Sequence, residues 1–191
     1  MRTDAGFVHA WTLPAELSED VWRPLHADLI LVLRMASAEL ERHRSDEALA
    51  VLRGPEGLGR LVLDADVISF NGNAFLGQAG DAFSLERKAR QGVISRMTRH
   101  GSRLTVRRCD TRGQPYDLAV CALLLVVLKH FGDSMRVGTS ATLRDGWGRA
   151  AALVRTTLGD CGQLVQVESG LLRWVDAPPA GLRGRVSSSA S

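Results

Sequence analysis

A chain of 191 residues with 45% apolar side chains can bury one sizeable core, which excludes wholesale disorder and fits one domain with a tail. The formal charge of +3 hides an asymmetry. Residues 87–112 carry nine basic groups against one acid, Asp110, whereas residues 1–86 carry seven basic and fourteen acidic groups.

In chain order, Phe7–Leu13 is rich in aromatic and β-branched residues and reads as a first strand. A long helix follows, approximately Pro24 to His43, with Pro24 in its first turn and Leu25, Leu29, Val32, Leu33, Ala36 and Leu40 at helical spacing. Ala48–Arg53 and Arg60–Leu63 flank Gly-Pro-Glu-Gly-Leu-Gly, a hairpin signal. Asp66–Asn71 is a strand stopped by Asn71-Gly72, and residues 72–82 form an irregular Gly-rich loop. Ala82–Arg87 suits a further strand, whereas residues 88–101 match neither period.

The second half is more sharply punctuated. Arg103–Arg108 alternates, which places Leu104 and Val106 on the core face and Arg103, Thr105 and Arg107 outside. Pro115 opens a helix with Asp117 in its first turn; Lys129-His130 and Gly132 close it. Leu118–Leu128 is apolar all round, so this helix packs on more than one side. Met135–Thr139 is a short strand, and Trp147–Leu158 is an amphipathic helix stopped by Gly159. Gln163–Glu168 and Leu171–Val175 are strands joined by Ser169-Gly170. The fold class is α+β: a single domain over residues 1–175, with a mixed, mostly antiparallel sheet, one long N-terminal helix and a buried central helix. Residues 176–191, rich in Pro, Gly, Arg and Ser, read as a disordered tail.

The basic segment is the leading candidate for a binding surface: Arg87, Lys88, Arg90, Arg96, Arg99, Arg103, Arg107, Arg108 and Arg112. Such a block suits a nucleic-acid backbone or an acidic protein partner, and equally a solvated surface balancing the acidic first half. Lysine occurs only at Lys88 and Lys129, but arginine dominates the whole chain, as codon composition alone would produce. No aromatic residue within 87–112 offers base stacking. The loop of Asn71, Gly72, Asn73, Gly77 and Gly80 superficially resembles a phosphate cradle, without the Gly-Lys-Ser/Thr of a P-loop.

Catalytic signatures are lacking. His9, His26, His43, His100 and His130 are scattered, Asp117 is explained by its place at a helix start, and His130 and Asp133 by a helix end. Cys109, Cys121 and Cys161 have no Cys-x-x-Cys or Cys/His spacing, so neither a metal nor a cofactor is expected. Trp11, Trp22, Trp147 and Trp174 fall on separate elements; an exposed pair would suit a protein or homo-oligomer interface. The eleven-residue apolar run is shorter than the ~20 needed to cross a bilayer, the N-terminus lacks a signal-peptide core, and a reducing cytoplasm is expected.

The run Arg108-Cys109-Asp110-Thr111-Arg112-Gly113-Gln114-Pro115-Tyr116-Asp117, its apolar helix, and Lys129-His130-Phe131-Gly132-Asp133 carry a pattern, preceded by Phe70-Asn71-Gly72. Over roughly residues 66–158 it resembles an uncharacterised family of small prokaryotic and phage proteins. The chain departs from that family at Gly80-Asp81-Ala82-Phe83, where the family has a more acidic, His-containing signature. The resemblance implies a common fold and a phage or mobile-element origin, and it brings no known activity. The expectation is therefore a non-catalytic accessory protein that binds through residues 87–112, with an interaction module or an enzyme with a dispersed site as alternatives.

Overall fold

Val8–Pro14 alternates between half-buried and buried positions, the period of a strand with one face on a core. The computed structural model describes residues 7–42, 50–90, 95–97, 103–142, 146–159, 162–166 and 171–175. The expected tail, Arg99, Cys161, Ser169-Gly170 and the side chain of Arg96 lie outside the described residues. In chain order the elements are β1 (Val8–Pro14), α1 (Glu19–Glu41), β2 (Leu52–Arg53), β3 (Val62–Asp64), β4 (Val67–Gly72), β5 (Phe83–Glu86) and β6 (Ser95–Met97). They continue with β7 (Arg103–Asp110), α2 (Asp117–Phe131), β8 (Val137–Thr139), α3 (Gly148–Leu158), β9 (Gln163–Gln166) and β10 (Leu171–Val175). The fold is α+β and single-domain, and the described strand pairs are antiparallel.

Two sheets form instead of one. The larger has the order β6-β7-β1-β8-β10-β9; in the smaller, β4 pairs with β2, β3 and β5. The segments around Gly-Pro-Glu-Gly-Leu-Gly do not make the expected hairpin. Leu52 and Arg53 pair with Gly72 and Asn71, and Val62–Asp64 pairs with Val67–Ser69. The longer β4, with Ile68 and Phe70 fully buried, offers both segments more pairing surface than they offer each other.

Residues Asp117 to Leu128 of α2 are all buried, because the large sheet lies on one side and α1 and α3 on the others. Phe83 of β5 stacks on Trp11 and tilts against Phe70, joining the small sheet to the large one. Helix α1 starts five residues before the expected Pro24. Ser18 is its N-cap, Glu19 and Asp20 complement the dipole, and Trp22 already belongs to the core. Pro24 sits inside the helix, where its missing N–H costs one backbone bond that the burial of Trp22, Leu25 and Leu29 outweighs. Among the described residues, no helix is long and apolar enough to cross a membrane.

Truncating the centre of α2 tests this arrangement. Leu124→Ala should lower the unfolding free energy by about 2–5 kcal/mol in urea titration. Val165→Ala, on the edge strand β9, should change it by less than about 0.5 kcal/mol.

Candidate functional site

The two sides of the large sheet are chemically different. One side carries a buried polar network. His9 of β1, Asp117 at the start of α2 and Cys121 one turn later are 0%, 7% and 0% exposed. His9 Nε2 lies 2.7 Å from Asp117 Oδ1, which also accepts the Thr111 hydroxyl at 2.5 Å. The Cys121 thiol donates to Asp117 Oδ2 at 3.5 Å. On the far side of the imidazole, Thr139 Oγ1 lies 3.1 Å from Nδ1, and the ring meets Trp147 edge-on at 5.3 Å. A Cβ on Gly146 would come within 2.8 Å of Asp117 Oδ2, so this position requires glycine for close approach.

Hydrogen-bond counting assigns the ring proton. Thr139 Oγ1 accepts Ala141 N–H at 3.0 Å and Trp147 Nε1–H at 3.3 Å, which occupies both lone pairs. Its own proton therefore points to His9 Nδ1, and Nε2 carries the ring hydrogen that is donated to Asp117. The atoms of His9, Asp117 and Cys121 lie within 4.8 Å of one another, close enough to suggest a metal centre. The hydrogen bonding opposes that role. A metal on Nε2 would need the proton on Nδ1, where Thr139 has no free lone pair. The 2.7 Å N–O separation is also shorter than the ~3.3 Å between two ligands of a tetrahedral zinc ion.

These residue types also recur in thiol catalysis, but here the thiol bonds the carboxylate, with its sulfur 4.0 Å from His9 Nε2. Burial, with the Asp117 carboxylate second, raises the Cys121 pKa well above the usual thiol value, which disfavours the nucleophilic thiolate. Asp117 thus does more than open a helix. Sequence reasoning missed its pairing with His9 because 108 positions separate the two.

The Gly-rich loop is closed on itself. Asn71 accepts from Gly72 N–H and Gly80 N–H and donates to Pro55 O and Gly80 O. Asn73 accepts from Phe75 N–H with its side chain and from Leu76 and Gln78 N–H with its carbonyl; Gly77 N–H goes to Ala74 O. With these amides satisfied, Gly72, Gly77 and Gly80 present no phosphate-binding nest. Tyr116 clamps the loop, donating to Asp81 O at 2.8 Å, and a Cβ on Gly80 would come within 2.5 Å of Tyr116 Oη. Tyr116 therefore faces the loop, while its neighbour Asp117 faces His9.

The basic segment divides into two groups. Arg87 pairs with Asp66 and Glu19, Lys88 with Glu16, and Arg90 with Glu86. Arg107 is not on the expected outer face: its side chain is 9% exposed and reaches Ser84 O and Glu86. Thr105 is buried as well, donating to Leu13 O, while Leu104 and Val106 lie on the half-open side. The strand's phase is reversed because Thr105 and Arg107 find polar partners inside. Exposed Arg103, Arg108 and Arg112 have no acidic side-chain partner among the described residues.

Cross-strand register defines the uncovered side. Arg108, Ala10, Gly138 and Leu171 form one row across β7, β1, β8 and β10. Val106 and Thr12 begin the next row, where Arg136 exchanges hydrogen bonds with Thr12. Arg108, Arg136 and Arg173 are exposed, and the residues between them are small or half-buried. Arg136 was missed in sequence; its signal was its alternation with the buried Val137. Trp11, Trp22 and Trp147 are buried and Trp174 is half-buried, so no exposed tryptophan pair exists. Comparisons with protein-family models, curated proteins and solved structures find no match for this chain.

Replacing Asp117 by Ala should destabilise the protein by about 3 kcal/mol in denaturant titration, because His9, Thr111 and Cys121 lose a buried partner. Gly146→Ala should also destabilise it, by pressing on the same carboxylate. Burial, reinforced by Asp81 and Asp117, pushes the Cys109 thiol up from 9.0 to about 12. Its contribution to stability is complete below about pH 9, where both states keep the proton. It is lost as pH rises towards about 12, because the unfolded thiol ionises first. Thermal melts should therefore fall across that window, and Cys109→Ala should flatten the fall.

Proposed function

We propose that the protein is a non-catalytic nucleic-acid-binding accessory factor that holds a duplex backbone on the uncovered side of its large sheet. The carrying observation is the exposure of Arg103, Arg108 and Arg136 on one sheet without acidic side-chain partners among the described residues. The small residues Ala10, Thr12 and Gly138 keep the middle of that side low, so a phosphate chain can approach the arginines. This side has no aromatic ring for stacking, which favours a duplex over a single strand. The resemblance to small phage proteins supports a mobile-element setting for the same reading.

A second reading, self-association, is favoured by the terminal strand β9. Val165 and, beside it on β10, Val175 are 40% and 47% exposed at the end of the sheet. Light scattering distinguishes it: a stable dimer supports it, and a monomer at high concentration opposes it.

Fluorescence anisotropy with a duplex oligonucleotide at several salt concentrations tests the main proposal. Each arginine on a phosphate should contribute about −0.9 to the slope of log K against log salt. Arg108→Ala with Arg136→Ala should therefore make the slope shallower by about 2. Arg87→Ala should leave it unchanged, because Asp66 and Glu19 already neutralise that side chain. Absence of binding at low salt, or an unchanged slope in the double variant, contradicts the proposal.

A further inference from the structure

A groove of about 260 Å³ runs between β5 and β7, bordered by Trp11, Ser84, Glu86, Arg90, Arg107 and Arg108. Trp11 and Arg107 are directly opposed across the β1–β7 pair and therefore share a face. Each holds a buried donor without a partner: Trp11 Nε1 and Arg107 Nε. Such orphans are rare in folded proteins, and two on neighbouring side chains bordering one groove are a coherent feature. The Arg107 guanidinium bonds Ser84 O through Nη1 at 3.1 Å, and its Nη2 contact with Glu86 is long, at 3.5 Å. Glu86 is shared, since its other oxygen takes Arg90 Nε at 2.6 Å. Three cations, Arg90, Arg107 and Arg108, thus face one carboxylate, a local balance of +2. Burial, acting against the Glu86 attraction, lowers the Arg107 pKa, the mark of an under-solvated cation.

We propose that this groove binds the oxyanion of a small molecule, a carboxylate or phosphoryl group, through Arg107 Nε and Trp11 Nε1. The anion supplies the acceptor both donors lack, and the charges of Arg90 and Arg108 draw it to the mouth. The site is separate from the duplex surface: Arg107 lies on the covered side of the sheet, and only Arg108 borders both. Success or failure in the duplex assay leaves this proposal standing on its own measurement.

The test is a titration of the full chain with inorganic phosphate and, separately, with acetate, each at constant ionic strength. The indole N–H resonance of Trp11, assigned by its loss in Trp11→Phe, reports binding. The expected result is a saturable shift of that resonance with a rise in melting temperature. Saturation by phosphate alone identifies a phosphoryl site, and saturation by acetate a carboxylate site; either supports the proposal. Arg107→Gln should weaken binding about tenfold or more. Trp11→Phe keeps the packing and the guanidinium, so it serves if Arg107→Gln does not fold; it should reduce the anion-induced rise in melting temperature. An indole resonance unmoved by both anions overturns the proposal and leaves the donors to a buried water. A shift that persists unchanged in Arg107→Gln, or a melting response unchanged in Trp11→Phe, also overturns it.

Discussion

The buried Asp117 carboxylate is the constraint that decides which side of the large sheet is closed. It lies in the first turn of α2, where the helix dipole favours negative charge, and it accepts from His9, Thr111 and Cys121. His9 passes the connection on to Thr139, which is held by Trp147 at the entrance to α3. One carboxylate thereby ties β1, the turn after β7, β8, α2 and the start of α3 to the same side. A buried polar group is costly unless it is bonded, so this network fixes the register of β1 against α2 more tightly than apolar packing alone. The opposite side of β1, with Ala10 and Thr12, is left to solvent or a partner.

The charge asymmetry of the chain takes on a spatial meaning in this fold. The acids that neutralise Arg87, Lys88, Arg90 and Arg107 are Glu16, Glu19, Asp66 and Glu86, all from the acidic first half. Much of the basic block is thus a seam between two halves of one domain. Surface pairs of this kind contribute little stability each, and their main consequence is to remove those cations from the field a partner would meet. What remains is a smaller set of arginines, spread over the sheet and including Arg136 from outside the block. Their spacing is set by strand geometry, not by proximity in the chain.

How much of this was legible depended on whether the signal was local. The limits of α2 were readable from Asp117, Lys129-His130 and Gly132, and its burial from an apolar run with no polar stripe. The start of α1 was misplaced because Pro24 is a strong helix-start signal, although Ser18-Glu19-Asp20 is another. β7 was read in the wrong phase because alternation gives the period of a strand and leaves open which set faces the core. Arg107 and Thr105 reverse the usual rule because Glu86, Ser84 and Leu13 satisfy them inside. The His9–Asp117 contact and the rows of the open side arise from pairings between distant segments, which residue spacing does not encode. The Gly-rich loop was placed correctly as a loop, but Asn71 and Asn73 consume the amides that made it resemble a cradle.

The central claim is a division of labour between the two sides of one sheet: one held shut by Asp117, the other open to a charged partner. Amide chemical-shift mapping during titration with a duplex oligonucleotide tests it most directly. The account predicts perturbation centred on Ala10, Thr12, Val106, Arg108, Arg136 and Gly138, with Cys121 and the rest of α2 unmoved. Perturbation confined to Gly72–Gly80 or to the outer surface of α1 would contradict it.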